Sequence, residues 1–329
     1  SNRLDYTSSF AAMCRGRGQN GMSQTSNIAE WIERVSRRFD GAGLHFGHGT
    51  DNAADEAAWL VLHAAGEPLD GSFGDWGRAV DSATAARIES LAGRRISSGK
   101  PLAYLTGTAF FAGLEFEVTE AVLVPRSPIA ELVLDGFRPW VDAGKLERVL
   151  DLCTGSGCIG IATAVHMPGT RVDLADISTE ALDVAARNVG KHGLESRLRL
   201  VESDLFAALE CEVYDLVVSN PPYVPAGSIG ELPGEYRAEP EIGLVAGSDG
   251  LDIPLQILLD APRFLCEYGV LVCELGESED RLASLLPCVP FTWLEFEHGG
   301  SGVFVLTREQ LREAAPAVAA ALEKRSDVT

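Results

Sequence analysis

The chain has 329 residues, of which 46% are hydrophobic, so its length favours two domains and its composition suits a globular core. Its 27 Lys and Arg against 48 Asp and Glu give a formal net charge of −21, which repels nucleic-acid phosphates and attracts basic partners. No run reaches the ~18 apolar residues of a membrane helix and the N-terminal stretch lacks the apolar core of a signal peptide, so we expect a soluble cytoplasmic protein without a membrane partner.

The first part of the chain is predicted to be helical. In segment 28–39 apolar residues recur at spacings of three and four, which is typical of a helix with one apolar face. Segments 54–65 and 82–96 have the same character, and glycine-rich breaks separate the three. We therefore expect a helical domain over residues 27–107, preceded by a disordered N-terminus, residues 1–26.

Residues 108–126 have a different pattern. They alternate and are rich in Phe and Val, which predicts a β-hairpin linker with its turn near Gly113. A helix at 129–137 then leads into a second domain, residues 127–311. The Ala-rich C-terminal tail, residues 312–329, is expected to be a loose surface helix.

The second domain alternates strands with helices. Segments typical of strands are 148–153, 171–177, 198–203, 214–220, 269–276, 291–298 and 302–307. Helical stretches separating the first five are 158–167, 179–193, the short 204–210, and 252–265. This alternation indicates an α/β fold with a doubly wound, mostly parallel, seven-stranded sheet. Only about four residues, Gly-Gly-Ser-Gly, separate the last two strands, so a hairpin would bring an antiparallel strand to the edge.

Cysteine and histidine spacing argues against a metal site or a disulfide framework. The seven Cys include no CxxC pair and the six His no HxH or HxxxH pair. Cys153, Cys266 and Cys273 lie in apolar patterns, where a thiol behaves as a small hydrophobic group. We therefore expect no metal in this protein.

A glycine-rich turn follows the first strand of the second domain. Gly155, Gly157 and Gly160 form a G-x-G-x-x-G pattern between a strand and a helix, the context in which this motif binds ligands. Glycines let a ligand approach the backbone, and the helix start offers free N–H groups. Asp176 closes the second strand, where an acid can bind ribose hydroxyls, and Asp204 ends the third.

Two cofactors suit this pattern: a dinucleotide, in an oxidoreductase, and S-adenosylmethionine. Asp151, just before the turn, favours the second. Its carboxylate would repel a pyrophosphate, whereas it suits a ligand that carries an amino group and a sulfonium cation. A plain turn that binds no ligand is the third alternative, and the three acids at strand ends argue against it.

The segment Val217–Tyr223, Val-Val-Ser-Asn-Pro-Pro-Tyr, ends the fourth strand at a rigid corner. Proline lacks an N–H and fixes its own φ, so the strand stops there. In parallel sheets the active crevice lies at the carboxyl ends of the strands, so Asn220 should reach the same mouth as Asp151. A planar NH₂ group needs two acceptors, which the Asn220 side-chain oxygen and the Pro221 carbonyl can supply, while Tyr223 lies against its face.

An amide nitrogen is a poor nucleophile, because its lone pair is delocalised into the carbonyl. Orientation and electrostatic preorganisation must therefore supply the rate, and no general base is needed before attack, since the proton can leave late. An ordinary Pro-Pro turn is the alternative; the Asn before it and the Tyr after it argue against that.

These residues resemble the HemK family of protein-glutamine methyltransferases. The similarity covers about residues 28–311 and is carried by DLCTGSGCIGIA (151–162), VSNPPYV (218–224), EYRAEPEIGLVAGSDGL (235–251) and GKPLAYLTGTAFFAGLEFEV (99–118). The resemblance implies a class I methyltransferase (Rossmann-like) fold and methylation of a glutamine side-chain amide nitrogen with S-adenosyl-L-methionine. It also implies that the helical N-terminal domain helps to recognise the substrate.

Carried over by position, the resemblance implies two sets of site residues. The glutamine would be held by Asn220, Pro221, Pro222 and Tyr223. The cofactor would be held by Asp151, Cys153, Thr154, Gly155, Ser156, Gly157, Asp176, Ile177, Asp204, Leu205 and Asn220. Leu205 would flank the adenine; the release-factor branch is expected to have Trp there, so apolar packing would replace stacking.

The branch of the family is also indicated. VPRSPIAELV (124–133) and PFTWLEFEHGGSGVFVLTREQL (290–311) closely resemble the PrmB branch, which implies a basic substrate, large-subunit ribosomal protein three, in keeping with the acidic charge. A release factor is the alternative substrate. Amino-methylating DNA and RNA enzymes share the Pro-Pro corner but need a basic surface, and a scaffold that binds cofactor without catalysis is the third possibility.

Overall fold

The computed structural model describes residues 26–209 and 212–326, which form two compact units. The first unit holds the described residues up to Glu115, together with Val124–Arg126 and Pro233–Ala238, and the rest of the chain forms the second. The N-terminus that was expected to be disordered, residues 1–26, lies outside the described residues except for Ser26.

Helices make up most of the first unit. They are α1 (Ile28–Ala42), α2 (Ala53–Ala65), α3 (Ser82–Ser98) and α4 (Leu102–Thr106). Asn27 begins α1 with a capping box, because its side chain accepts from the Glu30 N–H at 2.9 Å and its own N–H donates to the Glu30 carboxylate at 3.1 Å. The apolar stripe of α1 is buried, including Ile28 and Phe39 at 0% exposure. The hairpin strands β1 (Thr108–Phe111) and β2 (Leu114–Glu117) follow, with the turn at Gly113.

A buried ion cluster lies inside the first unit. Arg95 is 1% exposed, and its Nε donates to Glu56 Oε1 at 2.6 Å. Its Nη1 lies 3.3 Å from Glu235 Oε1, although Glu235 is 140 positions away in sequence. Glu235 also accepts from the His45 backbone N–H at 2.8 Å. The cluster therefore fixes segment Pro233–Ala238 within the helical unit.

A seven-stranded sheet forms the centre of the second unit. Its strands are β3 (Arg148–Leu152), β4 (Arg171–Asp176), β5 (Leu198–Glu202), β6 (Tyr214–Ser219), β7 (Leu265–Glu274), β8 (Thr292–Trp293) and β9 (Val303–Thr307). They are ordered β5-β4-β3-β6-β7-β9-β8, with the first five parallel and β9 antiparallel to both of its neighbours. The predicted doubly wound, mostly parallel sheet is thus confirmed.

Helices accompany the strands in chain order. They are α5 (Ile129–Leu134), α6 (Cys158–His166), α7 (Thr179–Lys191), α8 (Asp252–Asp260), α9 (Glu279–Leu285) and α10 (Arg308–Ser326). Leu255 of α8, Leu282 of α9 and Leu311 of α10 share one apolar core with strand residues Val217 and Leu271. Over the described residues, none of the helices combines the length and apolarity that crossing a bilayer requires.

Two local predictions were wrong. Residues 204–209 form turns instead of a helix, because Leu205 has a φ of +47° and its carbonyl accepts from Ser203 Oγ at 2.6 Å. The strand expected over 291–298 is reduced to Thr292–Trp293, so its connection to β9 is longer than the four residues expected. β9 lies inside the sheet, antiparallel to β7 and β8, and the short β8 forms its edge.

The C-terminal tail is helical as expected, but the prediction that it is loose was wrong. Leu311 and Val318 on α10 are fully buried in the core of the second unit. Near the helix end, Arg325 Nη1 donates to Asp249 Oδ2 at 2.7 Å and Arg325 Nε to Asp252 Oδ1 at 3.0 Å. The Ala-rich sequence does not predict this packing, because alanines at helical spacing can face either a core or solvent.

Candidate functional site

The ends of three neighbouring strands place the predicted site residues together. β3 lies between β4 and β6, with Leu152 opposite both Ala175 and Ser219. Because the three strands are parallel, the glycine turn after β3, Asp176 at the end of β4 and Asn220 after β6 share the carboxyl edge of the sheet. This is the edge at which doubly wound sheets bind ligands.

The turn between β3 and α6 allows close approach to the backbone. Gly157 begins α6 with a φ of +80°, a conformation that costs glycine little. A Cβ on Gly160 would lie 2.3 Å from Leu174 Cδ2, so glycine is needed for α6 to pack on the sheet. Gly155, by contrast, has no atom within 4 Å of the position a Cβ would take. Thr154 and Ser156 turn buried side chains inward, so this turn offers a ligand mainly its backbone.

Asp151 is buried beneath the glycine turn and forms hydrogen bonds with it. The residue is 1% exposed, and its Oδ2 accepts from Thr154 Oγ1 at 2.6 Å and from the Gly160 N–H at 2.8 Å. Burial raises the pKa of Asp151 to about 7, against the lowering effect of these two hydrogen bonds. Its Oδ1 has no hydrogen-bond partner within the part of the chain that the structure describes. An unpartnered buried carboxylate oxygen is costly and suits a cationic group of a ligand.

Asp176 links the glycine turn to the next loop. Its Oδ2 accepts from the Gly155 N–H at 2.8 Å and its Oδ1 from the Ser178 N–H at 2.9 Å. Burial raises the pKa of the Asp176 carboxyl, and the backbone N–H groups partly offset this effect. Each carboxylate oxygen retains a further lone pair, so Asp176 can accept from a pair of vicinal hydroxyls while holding the turn.

Apolar and acidic side chains flank Asp176 at the same edge. Ile177 is 52% exposed. Leu205 is half-buried, and Asp204 next to it is exposed. Ser203 holds this loop through its backbone N–H, which donates to the Asp176 carbonyl at 2.9 Å. Ile177 and Leu205 thus offer apolar surface to a planar ring near the acid.

The Asn-Pro-Pro-Tyr corner follows β6 directly. Asn220 is half-buried, whereas Pro221 and Pro222 are buried. The segment after the corner is held by pairing, because the Val224 N–H donates to the Leu244 carbonyl at 2.7 Å. The corner is therefore fixed on both sides, by the sheet before it and by segment 244–247 after it.

Tyr223 is held at both ends. Its hydroxyl donates to Glu274 Oε1 at 3.2 Å, and its carbonyl accepts from Ser278 Oγ at 2.9 Å. A Cβ on Gly276 would lie 2.9 Å from the Tyr223 ring, and one on Gly250 would lie 2.1 Å from the Tyr223 carbonyl oxygen. These two glycines thus make the space that the tyrosine occupies.

The sequence interpretation did not identify Glu274, Ser127 or Ser278 as site residues. Glu274 ends β7 at the same carboxyl edge as Asp176, after the apolar run Val270–Cys273. The rule that identified Asp176, an acid closing a buried parallel strand, applies to Glu274 as well. Ser127 and Ser278 gave no such signal, because serine is common in loops.

Comparison with known proteins gives matches over both units. The PrmC N-terminal domain model matches residues 28–107 and the methyltransferase small domain model matches residues 137–230. The ribosomal protein uL3 glutamine methyltransferase of Neisseria gonorrhoeae is 49% identical over 289 residues, covering 88% of this chain and 96% of that protein. Its counterpart in Xanthomonas campestris pv. campestris is 48% identical over 284 residues, 86% of this chain and 92% of that protein. A methyltransferase structure from Pyrococcus furiosus is similar with 18% identity and a TM-score of 0.44, covering 60% of this chain and 89% of that one.

Proposed function

The chain belongs to the ribosomal protein uL3 glutamine methyltransferases, and we propose that it transfers a methyl group from S-adenosyl-L-methionine to the side-chain amide nitrogen of a glutamine in ribosomal protein uL3. The observation that carries the proposal is the placement of the Asn-Pro-Pro-Tyr corner and the Asp176-linked glycine turn on one carboxyl edge of the sheet. The second product is S-adenosyl-L-homocysteine.

The residues around the glycine turn fit this cofactor. Asp176 would bind the ribose hydroxyls, and Ile177 and Leu205 would flank the adenine, with Asp204 beside them. Oδ1 of Asp151, which has no partner among the described residues, would accept from the cofactor's amino group, and the backbone of Cys153–Gly157 would hold its methionine part. When bound, the cofactor supplies a methyl group activated by its sulfonium charge.

The corner after β6 holds the acceptor amide. A glutamine NH₂ group has two hydrogens and needs two acceptors, which are the Asn220 side-chain oxygen and the Pro221 carbonyl. Pro222, with Pro221, keeps this backbone rigid, and Tyr223 lies against the face of the amide. These contacts hold the nitrogen in one orientation, so the entropy of alignment is lost on binding and not in the reaction step.

The protein then has to accommodate a change in charge at the nitrogen. Attack withdraws the nitrogen lone pair from the amide, and the two acceptors stabilise the N–H groups as they become more acidic. Once the new bond has formed, one proton passes from the nitrogen to solvent water. No side chain is required to remove it earlier.

We assign substrate recognition to the helical segment 27–107 of the first unit and to the overall charge of −21, which favours a basic protein. The match of the PrmC N-terminal domain model over residues 28–107 supports a separate N-terminal domain. A cytoplasmic location would suit a ribosomal substrate, and direct reading of nucleic acid is not required.

The proposal is tested with purified protein, radiolabelled S-adenosylmethionine, recombinant uL3 and a peptide chain release factor, followed by mass mapping of labelled peptides. We expect one methyl group on a uL3 glutamine and little on the release factor. Asn220→Ala should lower turnover by roughly 10²-fold, the scale of one lost preorganised group, with cofactor affinity changed much less.

Three outcomes would contradict the proposal. Labelling of the release factor alone would assign the chain to that substrate instead. Labelling of RNA or DNA fragments would make it an amino-methylating nucleic-acid enzyme. Normal turnover by Asn220→Ala would refute the role given to the corner even if uL3 is the substrate.

A further inference from the structure

A buried carboxylate that the proposed chemistry leaves without a role lies behind the substrate corner. Glu274 is the last residue of β7 and is 6% exposed. The four residues before it, Val270–Cys273, are buried and apolar. Burying a carboxyl group at such a position costs desolvation free energy unless it forms hydrogen bonds. Its hydrogen-bond partners therefore indicate its role.

The two carboxylate oxygens of Glu274 accept from two different hydroxyls. Oε2 accepts from Ser127 Oγ in a short hydrogen bond, and Oε1 accepts from the Tyr223 hydroxyl at 3.2 Å. Glu274 therefore connects Ser127, two residues before α5, to the tyrosine of the corner.

Ser127 sets the direction of this connection. The residue is 3% exposed, and its Oγ accepts from the Ile129 N–H at 3.1 Å, at the start of α5. With that lone pair used, the Ser127 hydroxyl hydrogen is directed to Glu274. Ser127 thus fixes one carboxylate oxygen, and the other is presented to Tyr223.

The cavity around Tyr223 is shaped for this one position of the ring. Gly276, two residues after Glu274, lies against the ring edge, with its hypothetical Cβ 2.9 Å from Cε2 and 3.1 Å from the hydroxyl oxygen. Ser278 holds the Tyr223 carbonyl from the same turn. The end of β7 and the turn after it therefore contact Tyr223 at its main chain, its ring and its hydroxyl, and so fix its position.

We propose that Glu274, oriented by Ser127, is a positioning residue for methyl transfer: it holds the Tyr223 ring in the orientation that packs against the substrate amide. The inference rests on the proposed function, in which Tyr223 contacts the glutamine. Glu274 itself touches neither substrate nor cofactor in this assignment. Its loss should lower kcat, because a misoriented amide reaches the reactive alignment less often, while affinity for the cofactor product stays nearly constant.

The test is a double-mutant cycle between Glu274 and Tyr223, measured as kcat on uL3. Glu274→Met keeps the side-chain volume but removes both acceptors, and we expect kcat to fall roughly 10-fold or more, the scale of a small misplacement of reactants. Glu274→Gln keeps one acceptor oxygen and should restore much of the rate. In a Tyr223→Phe background, which lacks the hydroxyl, Glu274→Met should have almost no further effect.

A matched pair at the other end of the sheet controls for simple loss of stability. Tyr214 donates its hydroxyl to the buried Asp173 carboxylate at 2.7 Å, at the amino end of β6. Tyr214→Phe removes the same kind of contact and should lower the melting temperature without changing kcat. Equal effects of Glu274→Met in the wild-type and Tyr223→Phe backgrounds would overturn the positioning role.

A second measurement separates this inference from the proposed function. In protein labelled with ¹³C-tyrosine, the Tyr223 ring resonances, assigned by their loss in Tyr223→Phe, should shift and show faster ring flips in Glu274→Met. This readout needs no substrate. An unchanged Tyr223 signal in Glu274→Met refutes the inference whether or not uL3 is methylated, whereas a shifted signal in a protein that methylates nothing would count against the proposed function alone.

Discussion

Asp176 Oδ2 accepts the backbone N–H of Gly155 at 2.8 Å, so the acid that ends β4 holds the glycine turn that follows β3. Its other oxygen accepts from the Ser178 N–H at 2.9 Å. One carboxylate thereby sets the distance between two loops of the carboxyl edge. Under the proposed function Asp176 has two roles: it would bind the ribose hydroxyls, and it holds the turn that would receive the rest of the cofactor.

Asp176→Ala should therefore weaken binding of S-adenosylhomocysteine by more than the loss of the ribose contacts alone. Two hydrogen bonds to a charged group are each worth about 1.5–3 kcal/mol, so we expect at least a 100-fold rise in Kd, measured by calorimetry. Glu202 pairs with Asp176 in register on β5 and is exposed, which makes Glu202→Ala the control. Similar affinities for both variants would contradict the assignment.

Asp151 predicts how cofactor binding depends on pH. Burial raises the pKa of the Asp151 carboxyl to about 7, so in the free protein it gains its charge only near neutral pH. The amino group of the cofactor is a cation and favours the charged form. Affinity for S-adenosylhomocysteine should rise up to tenfold per pH unit as pH approaches about 7 from below, and level off above it. Calorimetry at pH 6, 7 and 8 measures this, and Asp151→Asn should remove the dependence.

The Asp151 carboxyl affects the stability of the fold in the opposite direction, because its contribution falls as pH rises. Its pKa of about 7 in the folded chain lies above the ~3.9 of an unfolded Asp, so the folded state holds this proton more tightly. The contribution of Asp151 to the free energy of unfolding is therefore fully favourable below pH ~4 and declines as pH rises to about 7. Asp151→Asn should flatten that decline in urea titrations, and an unchanged pH profile would show that Asp151 is not the titrating group.

The sheet and the placement of three proposed site residues could be predicted because they depend on local patterns. The strands that carry Asp151, Asp176 and Asn220 are short apolar segments, and each ends in a polar residue or a proline. Parallel order then requires their ends to meet at one edge. Periodicity and the βα alternation were therefore enough to place these three residues near one another.

What could not be predicted depends on contacts between distant segments. Glu235 lies in the loop after the corner, yet its carboxylate is bound by Arg95 in the helical unit. Arg325 near the C-terminus binds Asp249, in the segment whose Gly250 lies against Tyr223. Hydrophobic periodicity does not predict such ion pairs, because each charged residue by itself looks like an ordinary surface residue.

The Glu56–Arg95–Glu235 cluster should be important for the stability of the first unit. Removing a buried partner leaves uncompensated charge, so Arg95→Met should destabilise the unit by about 3–5 kcal/mol. The triple variant with Glu56→Gln and Glu235→Gln should recover part of this loss. Arg37 and Glu33 form an exposed pair on α1, and Arg37→Met should cost no more than ~1 kcal/mol. Urea unfolding of the wild type and the three variants measures these differences in stability. An Arg95→Met variant as stable as the wild type would contradict the role given to the cluster.

The acidic charge predicts how salt affects the reaction. With a net charge of −21, the enzyme should attract a basic ribosomal protein over about one Debye length, ~10 Å at 0.1 M salt. This attraction acts mainly on the association rate. Raising salt from low to moderate should therefore lower kcat/KM for uL3 by roughly 10-fold, while kcat stays nearly constant, because the bound amide is aligned by local contacts at Asn220 and Pro221.

A short neutral peptide that carries the target glutamine is the matched substrate for this measurement. It presents the same amide to the corner but has no charge to be attracted, so its kcat/KM should change little with salt. If the acidic surface serves solubility alone, protein and peptide will show the same weak response. If salt instead lowers kcat and leaves kcat/KM unchanged, it acts on the enzyme–substrate complex. That result would contradict long-range electrostatic attraction of the substrate.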